Sequence, residues 1–297
     1  MKKTLLFLLS ATLTLLVSCG NKNNPDAIKI AYLPITHALP LVELTEIDGV
    51  EVELVKYGSW PELLDALNTG RVDGASVLIE LAMKAKAQGI GLTTVALGHK
   101  DGNVIVVADE VKTAKDLKGK TFAIPHRASS HNILLMEALA RNGMSASDVN
   151  IVEMAPPEMP SALAGRQIAG YCVAEPFGAM GLRIGKGHVL YRSEGLWPNS
   201  ICCGLVFNDK SLASKGTQLE KVIDAYMKAG KHVSDKGVAL KEAKKILRQP
   251  EEVLEQSLKW ISYDQLNITQ GAYDDLCHKV KQYGIIDNPP AYREFVK

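Results

Sequence analysis

The sequence has little cysteine, few aromatic residues and no excess of charge of either sign. Aromatic residues make up 6% of its 297 residues, and the formal net charge is +1. Removing residues 1–18 takes away Lys2 and Lys3 and no acidic residue, which leaves 32 basic against 33 acidic residues. A surface with balanced charge does not attract a polyanion, so we expect no nucleic-acid partner.

Motifs for catalysis and metal binding are also missing. The sequence has no G-x-S-x-G, H-E-x-x-H or Walker loop, so we assign no catalytic residue and expect no enzyme and no cofactor. It has no pair of Cys-x-x-Cys elements, and His126 and His131 lack a third ligand, so we predict no metal site. Five cysteines in a chain of this length are too few for a disulfide framework. Apart from Cys19, they are predicted to be free buried thiols.

Long apolar runs are absent except near the N-terminus. Lys2 and Lys3 precede the apolar stretch from Leu5 to Val17, which is shorter than the roughly 20 residues that a membrane-spanning helix needs. Leu16-Val17-Ser18-Cys19 follows and resembles the bacterial lipobox. We predict a lipoprotein signal over 1–18, lipidation of Cys19 and a tether over 19–27. An ordinary secretory signal and an uncleaved anchor are the alternatives. The lipoprotein would be exported and held on the periplasmic or extracellular face of a bacterial membrane.

The rest of the chain alternates short apolar runs with helix-length segments. This pattern predicts an α/β fold with two lobes, each a mostly parallel sheet flanked by helices. Ser59, Thr113 and Ser145 each begin a predicted capping box. We assign residues 28–110 plus 203–297 to lobe 1 and residues 111–202, including the hinge crossings, to lobe 2. The helices after residue 208 are expected to pack on lobe 1.

Four segments carry a resemblance to a known family, and they occur in its order: AYLPITH (31–37), SSHNILL (129–135), PPEM (156–159) and CVAEPF (172–177). They resemble the nitrate, sulfonate and taurine class of ABC-transporter solute-binding proteins, which includes thiamine-precursor pyrimidine binders. The resemblance implies a type II periplasmic-binding-protein clamshell with its ligand in the cleft. It also implies a permease and an ATPase as partners. Members nearest to this pattern carry Trp after the proline, where this chain has Phe177.

Candidate ligand-binding residues lie where predicted strands lead into helices, since helix N-terminal amides gather there. The candidates are Thr36, His37, Trp60, Glu80, His126, Ser129, Ser130, His131 and Glu175.

Each candidate has a structural alternative. Trp60 could stack on a planar solute or belong to the core. Ser129 or Ser130 could bind an oxyanion or cap a helix. Glu175 would repel an anion and suits a ligand with a donor, such as an amine or amidine, but it could also serve as a helix N-terminal acid. Glu80 raises the same question.

We therefore predict a monomeric, lipid-anchored solute-binding component of an ABC importer. Its small polar solute would be aminopyrimidine-like, sulfonate-like or nitrate-like and would lie between the lobes. A pyrimidine-synthase-like enzyme of the same fold is one alternative, although only Cys202-Cys203-Gly204 stands where that enzyme has a longer cysteine-rich motif. A ligand-sensing lipoprotein without a transport role is the other.

Overall fold

A computed structural model describes residue 24 and residues 26–45 and 47–297 of the chain. The predicted signal over 1–18 and the lipidation of Cys19 lie outside the described residues, as does most of the tether. Within the described part, none of the helices has the length and apolar content needed to cross a membrane.

The strands are β1 Ile28–Tyr32, β2 Val52–Lys56, β3 Gly74–Leu78, β4 Leu92–Leu97, β5 Lys100–Asp101, β6 Asn103–Ala108, β7 Thr121–Ile124, β8 Asn150–Glu153, β9 Gly170–Ala174, β10 Gly187–Arg192, β11 Cys203–Asn208 and β12 Ile261–Ser262. The α-helices are α1 Trp60–Asn68, α2 Ile79–Ala87, α3 Ser130–Arg141, α4 Met159–Ala164, α5 Phe177–Ile184, α6 Ser193–Leu196, α7 Asp209–Ser214, α8 Gly216–Val233, α9 Lys236–Ile246, α10 Glu251–Leu258, α11 Gln270–Gln282 and α12 Tyr292–Phe295. Short 3-10 helices include Thr36–Thr45 and Ala114–Leu117.

Two five-stranded sheets form the centres of two lobes. The first has the order β2-β1-β3-β11-β4 and the second the order β10-β6-β9-β7-β8. In each sheet one strand runs against its neighbours: β11 in the first and β6 in the second. Strands such as β3 and β9 are buried along their whole length, because helices cover the faces of the sheets. The predicted two-lobe α/β clamshell with mostly parallel sheets is confirmed.

The first crossing between the lobes lies earlier than we predicted. We placed residues 28–110 in lobe 1, but β6 pairs with β9 and β10 of the second sheet. The chain therefore crosses between Leu97 and Asn103, and it returns between Leu196 and Cys203. An apolar strand looks the same in sequence whichever sheet it joins, so the hydrophobic pattern could not place this boundary. The two crossings touch where the Gly98 amide donates to the Cys203 carbonyl at 2.7 Å.

Two of the three predicted capping boxes are present. The Thr113 amide donates to Asp116 Oδ2 at 2.8 Å, and the Ser145 amide donates to Asp148 Oδ2 at 2.9 Å. The predicted box at Ser59 is wrong, since the Ser59 side chain caps nothing. Pro61, in the first turn of α1, has no amide hydrogen to offer.

The C-terminal helices cover lobe 1 and also reach lobe 2. Helices α8 and α9 pack on the 3-10 helix Thr36–Thr45, and α12 packs on β4. Helix α10 instead packs on α5 of lobe 2. We expected these helices to pack on lobe 1. That expectation is corrected for α10, which joins the two lobes.

Candidate functional site

Buried polar side chains meet at the seam between the two lobes. His37, Glu80 and His131 each occupy the second position of a helix that follows a strand, after β1, β3 and β7 respectively. The carboxyl ends of these strands face the seam from both lobes, which is where open α/β sheets bind ligands. The crossing segments contribute His99 and Cys202, so each crossing supplies a side chain.

Four donor groups lie closest together: the side chains of His37, His99, Cys202 and Cys203, whose ligating atoms are all within 4.8 Å of one another. His37 Nδ1 is 3.4 Å from Cys203 Sγ and 3.8 Å from Cys202 Sγ. The two sulfurs are 3.8 Å apart, and both thiols are free. The predicted state of free buried thiols is confirmed for these two cysteines and for Cys172, whereas Cys277 is only half-buried.

The two imidazoles of this group stack on each other. Their ring centroids are 3.4 Å apart with 25° between the planes. His99 Nδ1 lies 2.7 Å from the Asp101 carbonyl and donates to it, which leaves Nε2 as its free atom. That Nε2 is buried without a partner among the described residues, and so is His37 Nε2.

Further polar atoms around the four donors are buried without a hydrogen-bond partner in the described part of the chain. They include both nitrogens of His131, both carboxyl oxygens of Glu80 and the hydroxyl of Ser130. Cys202 Sγ lies 3.8 Å from Asn103 Oδ1, and the amide nitrogen of the same side chain is also unpartnered. Buried polar atoms are normally paired, so this concentration marks a site that a bound group would complete.

Burial sets the electrostatics of the site. It raises the pKa of Glu80 well above its usual range, and the nearby Cys202 adds to that effect. Burial, together with His99, lowers the pKa of His37 to about 4. Burial also lowers the pKa of His131. For Cys202, burial acts to raise the pKa, but the Cys203 thiol and His131 outweigh it and hold the pKa well below the usual value. Cys202 is the favoured thiolate of the pair.

Thr36 and Glu175 were predicted to bind ligand, and the structure uses them to join the lobes. The Thr36 hydroxyl donates to the Glu175 carbonyl at 3.0 Å, and the Thr36 carbonyl accepts from Tyr263 at 2.8 Å. Glu175 Oε2 accepts from the Ala179 amide at 2.9 Å and from the Ser257 hydroxyl at 3.1 Å. Burial raises the pKa of Glu175 to about 7, against the effect of these two donors.

Three other candidates are not among the four donors. Trp60 belongs to the core of lobe 1 and is 2% exposed. Ser129 caps α3, with its hydroxyl oxygen accepting from the Asn132 amide at 3.2 Å. His126 is partly exposed and its Nδ1 accepts from the Ala128 amide at 2.9 Å. Among the candidates, His37, Glu80, Ser130 and His131 have buried, unpartnered polar atoms at or beside the four donors.

His99, Asn103, Cys202 and Cys203 belong to the seam but were not among our candidates. His99 comes two residues after β4, and Cys202-Cys203 stands at the start of β11. Both positions are strand ends beside a crossing, which is a usable signal once the crossings are known. The predicted boundary of lobe 1 at residue 110, which lies after the true crossing, concealed it.

Solved structures resemble this fold over most of its length. A ligand-binding component of an ABC-type import system from Staphylococcus aureus, solved with zinc bound, is 39% identical, with 92% of this chain and 96% of that chain covered and a TM-score of 0.87. The alkanesulfonate-binding protein SsuA from Xanthomonas axonopodis pv. citri, bound to MOPS, is 20% identical over 92% of this chain and 98% of that chain, with a TM-score of 0.77. At that identity the second likeness establishes the fold alone.

Curated relatives match a smaller part of the chain. The nitrate import ATP-binding protein NrtC of Synechocystis is 29% identical over 60% of this chain, but the match covers only 30% of its own length. A putative aliphatic sulfonates-binding protein of Escherichia coli is 27% identical, with 57% of this chain and 56% of that protein covered.

The model of the NMT1-like family matches residues 21–247, which is most of the chain and includes both lobes. Relatives of both the nitrate and the sulfonate kind accompany that match, so the family resemblance read from the four segments is confirmed. The chain belongs to the NMT1-like family.

Proposed function

We propose that this protein is the solute-binding component of an ABC importer and that it holds its solute at the seam between the lobes. The observation that carries the proposal is the set of buried, unpartnered polar atoms that both lobes and both crossings supply there. A solute that completes these bonds would stabilise the closed arrangement of the lobes. The 39% identity to a ligand-binding component of an import system supports this role.

The charges at the seam favour a cationic or uncharged solute. A nitrate-like or sulfonate-like anion would be repelled by the Cys202 thiolate, whereas Glu80, whose raised pKa favours the uncharged carboxyl, adds no negative charge. Aminopyrimidines offer hydrogen-bond donors and remain compatible with these groups. The names or descriptions of relatives mention nitrate, sulfonate or zinc, so the relatives differ in ligand. The residues at the seam determine which kind of ligand this chain binds.

The remaining parts of the system follow from the same proposal. Cys19 carries the lipid that holds the protein on an exported membrane face, and a permease with its ATPase receives the closed, loaded form. The protein acts as a monomer and catalyses no reaction, since the seam holds a solute without presenting an activated nucleophile to solvent.

Small-angle scattering on the full chain tests the binding role. We would add nitrate, an alkanesulfonate, an aminopyrimidine and zinc ion separately, and we expect at least one of them to reduce the radius of gyration as the lobes close. His131→Gln should weaken binding of that solute by about tenfold or more, because the seam loses one buried partner. His126→Gln is the matched control and should leave the affinity unchanged. A particle of constant size with every solute would contradict the proposal.

A further inference from the structure

We propose that the seam binds a thiophilic divalent metal ion of the zinc class through His37, His99, Cys202 and Cys203. This inference rests on the proposed function and deepens it, because it names the chemical class of the transported solute. It opposes our expectation from the sequence that the chain has no metal site.

The spacing of the donors is the first argument. Zinc bonds of about 2.3 Å to sulfur and 2.0–2.1 Å to nitrogen, in a tetrahedron, put two sulfurs about 3.8 Å apart and a sulfur and a nitrogen about 3.5 Å apart. The two sulfurs are 3.8 Å apart, and His37 Nδ1 lies 3.4 Å and 3.8 Å from them. Three of the four donors are therefore already spaced like three corners of such a tetrahedron.

The fourth donor is oriented by its own partner. His99 Nδ1 donates to the Asp101 carbonyl at 2.7 Å, which leaves its Nε2 unprotonated, buried and without a partner among the described residues. Metal-ligating histidines usually donate their second nitrogen to a carbonyl or a carboxylate in this way. The bond fixes the tautomer that binding requires.

Burial and charge select the kind of ion. All four side chains are at most 1% exposed, so an isolated charge at their centre would be costly. Two thiolates and two neutral imidazoles around a divalent cation make an uncharged centre. Each thiol loses its proton to the buffer when it binds the metal. Sulfur and imidazole ligands in a tetrahedron favour zinc over calcium or magnesium, which prefer oxygen.

The four donors come from lobe 1 and from the two crossings. His37 follows β1 and Cys203 begins β11, both in the first sheet, whereas His99 and Cys202 lie on the crossings. His131 and Glu80, from opposite lobes, surround the centre with unpartnered polar atoms. A bound ion would therefore fix the hinge and both crossings together.

Cobalt and zinc titrations of the full chain test the site, after a thiol reagent has confirmed that Cys202 and Cys203 are reduced. We expect one cobalt ion per chain, with the ultraviolet thiolate-to-cobalt band and the intense visible bands of tetrahedral cobalt, and displacement of cobalt by zinc. Magnesium and calcium should not displace it. Absence of the thiolate band in the reduced protein would overturn the proposal.

Matched cysteine variants locate the binding. Cys202→Ser and Cys203→Ser should each lower zinc affinity at least about tenfold and abolish or weaken the thiolate band. Cys277→Ser, which alters a half-buried thiol elsewhere, should change neither. Thermal unfolding of the metal-free variants checks that they fold, and His99→Gln provides a second ligand variant if a serine variant does not. Equal affinity in parent and ligand variants would overturn the site.

The result also separates this inference from the proposed function. Closure and uptake of an organic solute without metal binding would overturn the metal site and leave the importer role intact. Zinc binding at these residues without any closure or uptake would support the site and contradict the importer role.

Discussion

At the residue scale, Glu175 is a buried carboxyl for which we predict ligand contact. One of its oxygens accepts from the Ala179 amide of α5 and from the Ser257 hydroxyl of α10. Its second oxygen is buried without a partner among the described residues, 2.6 Å from where a Cβ on Gly178 would lie. Burial explains why its pKa is raised to about 7.

This raised pKa makes stability depend on pH. The native carboxyl holds its proton up to about pH 7, whereas the unfolded one releases it near 4.5. The contribution is therefore fully present below about pH 4.5 and is lost as pH rises through 7, by up to about 3 kcal/mol. Glu175→Gln should remove most of this dependence in urea unfolding measured from pH 4.5 to 8. Glu255→Gln, at an exposed acid of α10, should retain it, and identical pH profiles for parent and Glu175→Gln would contradict the assignment.

At the element scale, α3 and α11 form a contact between lobe 2 and the C-terminal helices. Lys279 Nζ on α11 lies 2.6 Å from Glu137 Oε1 on α3, and the Tyr283 hydroxyl donates to the same oxygen at 2.8 Å. Both charged side chains are mostly buried, at 13% and 16% exposure, so this pair differs from a solvated surface ion pair.

Replacing Glu137 with alanine should therefore destabilise the protein. Lys279 would keep its charge in a mostly buried position without its carboxylate, and Tyr283 would lose its acceptor. We expect a loss of about 1–3 kcal/mol in the free energy of unfolding at neutral pH, measured by urea titration. Glu220→Ala serves as the control, since its pair with Lys297 spans 3.9 Å and is 51% and 70% exposed. Equal losses in the two variants would show that the contact between α3 and α11 contributes nothing.

Sequence patterns predicted most elements but only part of the site. Strands β3, β9 and β11 could be predicted without tertiary information, because a run of consecutive apolar residues indicates a strand that is buried on both faces. The seam was harder, since it joins His37 to Cys203, which are distant in the chain and adjacent only after both crossings form. Local sequence patterns do not indicate which distant segments of the chain come into contact.

At the scale of the whole molecule, the protein is two sheets held by two crossings and bridged by C-terminal helices. Attachment to a membrane would depend on the segment before these lobes, through Cys19. Cys19→Ala should move the protein from the membrane fraction of an expressing bacterium to the soluble exported fraction, because the acyl chains would be missing. Immunoblots of separated fractions measure this, and Ser18→Ala, which keeps the cysteine and a small residue before it, is the control. Unchanged membrane association of Cys19→Ala would contradict the lipid anchor.

The position of β11 has a consequence for how the chain reaches its native state. This strand lies between β3 and β4, and Gly204 pairs with Leu97, so the first sheet lacks an inner member until the second lobe has been translated. An amino-terminal piece ending before residue 203 would leave two unpaired sheet edges exposed to aggregation. The sheet of lobe 1 can therefore be completed only after the whole of lobe 2 has been made.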